Sequence, residues 1–134
     1  MHSVRLIKDL ALLLIRVTGH PTSEVFLNSY VPEIHKQINE IDSFRSLNRL
    51  FDLRGLHLNL TTKEIERFAV ITKKFNEGYE NIRIAIFCDM DVVFKQIRVF
   101  EVFGELSGIE RYVSKNPEGA LKWLGIDTQQ IDLD

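Results

Sequence analysis

The chain has 134 residues, 45% of them hydrophobic and 27% charged, with a formal net charge of −2 at pH 7. That length is one domain with enough apolar material for a core, and the near-neutral balance excludes a global field that would draw the chain to nucleic acid or to an acidic membrane surface. Cys88 is the only cysteine, so an internal disulfide is impossible and a reducing compartment is expected.

Residues 3–8 alternate in polarity, and residues 10–18 are apolar and β-branched. Both read as strands, joined in a hairpin around Lys8-Asp9. The apolar run LALLLI, residues 10–15, is bounded by Asp9 and Arg16. It is too short to span a bilayer or to form an ordinary signal core. A buried strand and a cytoplasmic protein without membrane insertion are expected. Gly19-His20-Pro21-Thr22 is punctuation, and Val25, Phe26, Tyr30, Ile34, Ile38 and Ile41 then recur at helical spacing. Pro32 lies inside that pattern and predicts a kink or two pieces.

LNRLFDLR, residues 47–54, reads as a strand. Asp52 is an acid inside it, and pairing with Arg54, Arg83 or a backbone donor is its expected role. Thr61-Thr62-Lys63-Glu64 has capping-box spacing, with Thr61 at the N-cap and Glu64 at N3. Ile65, Phe68, Ala69, Thr72 and Phe75 line one face of the helix that follows, and Gly78 can end it. Residues 82–88 form a strand. A helix starts at Asp89 or Asp91 and reaches about Leu106, and residues 109–113 form a short strand. Asn116 as N-cap, Pro117 at N1 and Glu118 open a last helix that stops at Gly125. An acidic tail, residues 126–134, is expected to be flexible.

The order β-β-α-β-α-β-α-β-α implies a single α/β domain over residues 1–125. It has a mainly parallel or mixed five-stranded sheet and four covering helices. VTG (residues 17–19), LFDLRGL (50–56), IRIAIFC (82–88), the helix carrying Phe94, and EGALKWL (118–124) make the chain resemble the STAS/SpoIIAA-like superfamily. More narrowly, it is similar to small bacterial stand-alone proteins related to the STAS and SEC14-type folds. The resemblance spans nearly the whole chain. It implies a non-enzymatic regulatory module that binds a protein partner, or a copy of itself as a homodimer. Its SEC14 side implies an apolar, small-molecule or lipid ligand between the sheet and a helix.

In anti-sigma antagonists of that superfamily a serine follows the corresponding strand and is phosphorylated. Laying residues 51–64 on that pattern puts Thr61 and Thr62 near the serine position. Leu60 stands where an acid is required, and Lys63-Glu64 replace small residues. Thr61 also has the capping role, so phosphorylation and capping compete as explanations.

IAIFCDMDVVF, residues 84–94, raises the question of a phosphotransferase with Asp89 and Asp91 as its two carboxylates. Such chemistry also needs a magnesium site completed by another acid, a lysine and a Ser or Thr. Here the pair lies late in the chain and Val92-Val93 follow it. A helix start is the better reading, and no catalytic residue is assigned. A weaker binding reading remains, because ligands of open α/β sheets sit outside the carboxyl ends of strands. Arg54, His57, Asp89 and Asp91 lie at such ends. His2, His20, His35 and His57 lack metal-ligand spacing, so no metal or cofactor is assigned. Residues 90–106 carry more apolar side chains than one sheet-facing stripe needs. Val92, Val99, Phe100 and Phe103 are therefore candidates for an interaction surface.

Overall fold

The computed structural model describes residues 1–103 and 109–133. Strand β1 (His2–Ile7) pairs antiparallel with β2 (Leu12–Val17), as the hairpin reading expects. The connection is longer than a tight turn. Lys8–Leu10 form one 3₁₀ turn, and Ala11 takes φ +48° so that its N–H can donate to the Lys8 carbonyl at 3.1 Å.

Helix α1 begins where the Thr22 hydroxyl oxygen accepts the Val25 N–H. It runs unbroken through α-helical Ser23–Val25, π-helical Phe26–Tyr30 and α-helical Val31–Ile41. The kink or division expected at Pro32 takes the form of this wider turn. The Val31 N–H donates to the Phe26 carbonyl, five residues back. The turn just before the proline thus absorbs its missing N–H and its ring without ending the helix.

The remaining elements are β3 (Asn48–Asp52), α2 (Thr62–Phe75), β4 (Ile82–Phe87), α3 (Asp91–Phe103), β5 (Ile109–Ser114) and α4 (Pro117–Trp123). Thr61 and Glu64 form the anticipated reciprocal cap of α2. Asn116 caps α4 by accepting the Gly119 N–H at 2.7 Å. Leu106, where the third helix was expected to end, lies outside the described residues.

Spatial strand order equals chain order, β1-β2-β3-β4-β5, and all pairs after the first are parallel. Right-handed crossovers between adjacent parallel strands carry α1, α2 and α3 to one face. Leu13, Ile15 and Val17 join that face with Leu27, Ile34, Ile65 and Phe100. The intervening Leu12 and Leu14 pack with Leu50, Phe87, Ala120 and Leu121 on the other face, under α4. The unbroken apolar run of β2 follows from this, since both its faces are covered.

Residues 126–133, read from composition as a loose acidic tail, lie along the α4 face. Ile126, Ile131 and Leu133 pack against its cluster. Asp127 caps a 3₁₀ turn, Thr128–Gln130. The Leu133 carbonyl accepts hydrogen bonds from Arg16 and Arg54.

Candidate functional site

A cavity of about 100 Å³ lies between the sheet and the helices α1, α2 and α3. Its floor follows from strand register. Leu13, Arg49, Ile84 and Arg111 stand side by side across β2, β3, β4 and β5, and the last three line the cavity. Phe51 and Ile86 form the next row. The roof is Ile34 and His35 of α1, Phe68 and Thr72 of α2, and Val93, Ile97 and Phe100 of α3. Phe68 is central to it, stacked on Phe100 with centroids 4.6 Å apart and edge-on to Phe26 at 5.2 Å.

One side is closed by the loop after β3, through Leu56, Leu58 and Leu60. Gln96 of α3 holds that loop. Its amide donates to the Leu58 carbonyl at 2.7 Å, and its oxygen accepts the Leu60 N–H at 2.7 Å. The period of the loop places its three leucines inward and His57 and Asn59 outward.

The cavity wall is apolar except for Gln96, Arg111 and one polar corner. Arg49 is fully buried there. Its Nη1 donates to Asn76 Oδ1 at 2.9 Å, and its guanidinium lies 4.3 Å from the centre of the Tyr79 ring. Its Nε and Nη2 are buried without a hydrogen-bond acceptor, and so is the Thr72 hydroxyl one helical turn before Asn76. Among the described residues no carboxylate comes within ion-pairing distance of Arg49. The Tyr79 side chain and, after it, Asp42 favour its charge, while Asp42 spends its oxygens on the Ser46 and Leu47 N–H groups. Burial pulls the Arg49 pKa down, the penalty for a charge taken out of water. Burial, then the neighbouring Arg49 charge, hold His35 down to about 3. The imidazole is therefore neutral, and it stacks on Phe75.

The residues picked from sequence lie elsewhere. Arg54 wraps back on Asp52, donating through its backbone N–H, Nε and Nη2 at 2.9–3.1 Å, so the anticipated Asp52–Arg54 pairing is present. Arg16 Nε adds an ion-pair contact to Asp52 at 3.4 Å without hydrogen-bond geometry. Arg83 pairs with Glu110 instead. His57 stacks face to face on His20 at 4.0 Å, because a bridge between Gly19 and Leu56 runs the two loops side by side.

Asp89 receives the Gly55 N–H at 3.4 Å. Asp91, in the first turn of α3, pairs with Lys115, which pulls its carboxyl below the usual range. Among the described residues no three His, Cys, Asp or Glu side chains are grouped to hold a metal. Cys88 is buried, and desolvation, with a smaller effect from Asp89, pushes its thiol up to about 11. Thr61 uses its hydroxyl oxygen as the cap of α2, and Thr62 is exposed beside it.

On α3, Val92, Val99 and Phe103 are exposed, joined by Val102 at 78%. Phe100 differs from the expectation. It is 5% exposed and belongs to the core, because the helix turns it onto Phe68. Among the described residues no helix is long and apolar enough to cross a membrane.

Sequence reasoning passed over Arg49, Asn76, Gln96 and Arg111, and took Thr72 only as part of a helix face. A signal for Arg49 was present, since strict alternation in β3 sets it in phase with Phe51 and Leu53. No family model matches the chain, and neither a curated protein nor a solved structure is significantly similar to it.

Proposed function

We propose that the chain is a non-enzymatic, cytoplasmic ligand-binding module of the STAS/SpoIIAA-like type, holding a small, largely apolar molecule between the sheet and α1–α3. The observation that carries this reading is the cavity of about 100 Å³ in an otherwise packed core. Leaving such a space empty forfeits roughly 2 kcal/mol of packing. That is a large fraction of the stability of a domain this size. An occupant returns those contacts. The volume is about two-thirds that of an engineered apolar cavity of roughly 150 Å³ that admits benzene. It suits a compact body rather than a long lipid tail.

Native mass spectrometry of the protein purified from its own host tests the reading. The expected result is a species heavier than the polypeptide by one small molecule, which denaturation releases. Bare polypeptide alone would overturn it.

A second reading keeps the protein partner or homodimer, and one observation favours it. Val92, Val99, Val102 and Phe103 form exposed apolar surface on α3. Light scattering over a concentration series tests the homodimer, and a strict monomer removes it.

A further inference from the structure

We propose that the cavity takes an anionic amphiphile: a carboxylate or similar monoanionic head paired with Arg49, on a short alkyl or aryl body that fills the apolar space. The proposal rests on the ligand-module reading above and adds the chemical class.

Four observations converge on it. First, the unpartnered nitrogens of Arg49 are Nε and Nη2. These are the two parallel donors along one edge of the guanidinium, the edge that meets a carboxylate in a two-pronged pair. Second, the buried Thr72 hydroxyl also lacks a partner and lines the same cavity, so a third donor is available within it. Third, the charged residues that line the space are both cations, while the acids that act on them, Asp42 on Arg49 and Glu101 on Arg111, stand outside the lining. Arg111 stands two strands from Arg49 in the same row, roughly 10 Å away by sheet geometry, and none of the lining residues is an acid. Fourth, apart from those groups and from His35, Asn76 and Gln96, the lining is hydrocarbon or aromatic, which suits an apolar body.

A neutral ligand would add no charge to the pull of Asp42 on Arg49, and a cation would meet two like charges. An anion supplies what the chain does not. A buried guanidinium left alone is among the costlier features a core can hold. The cavity volume limits the body to about four to six carbons unless the helices move apart.

The test is isothermal titration of the full chain at pH 7 with hexanoate, hexanol, hexylamine and acetate. Hexanoate is expected to bind at least tenfold more tightly than hexanol and acetate, with no binding of hexylamine. The Arg49 Nε–H resonance should shift on hexanoate addition. In Arg49→Met the order of hexanoate and hexanol should reverse. If that variant fails to fold, the four-ligand comparison and the Arg49 resonance decide on the native chain. Hexanol equal to or tighter than hexanoate overturns the anionic class and leaves the ligand module standing. Acetate equal to hexanoate overturns the amphiphile and leaves a simple anion site. No binding by any of the four overturns both the proposal and the reading beneath it.

Discussion

His35 and Arg49 share the polar corner of the cavity, and the burial of His35, with a smaller effect from Arg49, makes the fold sensitive to acid. His35 is held neutral down to about pH 3 when folded, whereas an unfolded histidine binds its proton near pH 6.5. Between those values the unfolded state carries a proton that the folded state lacks, so stability rises with pH and falls on acidification. The expected slope for one such group is about 1.4 kcal/mol per pH unit below roughly pH 6.5. Urea denaturation at pH 7.0 and 5.5 measures it, and His35→Phe should flatten it. Equal slopes in the two proteins would refute the assignment. The same pair shows why the site was hard to read from residues alone. Arg54 drew attention because it sits at a strand end, where ligands of α/β sheets gather. In the structure its donors go to Asp52 and Leu133, while Arg49, inside the strand, keeps two buried nitrogens without a partner.

At the level of elements, the loop that closes the cavity has little regular structure of its own and depends on α3. Gln96 is its tether, through the Leu58 carbonyl and the Leu60 N–H. Gln96→Leu removes both bonds while keeping similar bulk. The expected cost is about 1–3 kcal/mol, because backbone groups near the cavity lose their partners. Hydrogen exchange should show the Leu60 amide opening faster in the variant than in the native chain, with β2 unchanged. An unchanged Leu60 rate would mean that the three leucines alone hold the loop. The elements themselves were largely legible. Alternation marked β1, the capping box marked α2, and Asn116-Pro117 marked α4, because these signals are local. The cavity was not legible, since its walls come from three helices and four strands whose relative placement is set by packing. The excess apolar residues of α3 were visible in sequence, but their division between core and surface was not. Phe100 faces inward and Val102 outward only once the helix is laid on the sheet.

For the whole molecule, winding the chain in one direction leaves the second face of the sheet with a single short helix. Residues 126–133 finish that cover through Ile126, Ile131 and Leu133. A chain ending at Gly125 should therefore be less stable by about 2–4 kcal/mol, from apolar area returned to water and from the lost acceptor of Arg16 and Arg54. Its thermal midpoint should fall by several degrees. An unchanged midpoint would mean that the segment rests on the sheet without holding it. Cys88 has no exposed surface and sits in one cluster with Ile84, Val93 and Ile97, which also line the cavity. As the chain's single thiol, it is a built-in clock. A thiol reagent can mark it only when this part of the core opens, so the labelling rate counts openings without any attached dye. A molecule lodged beneath the helices slows that clock, while one adhering to the outside leaves it running at its native pace.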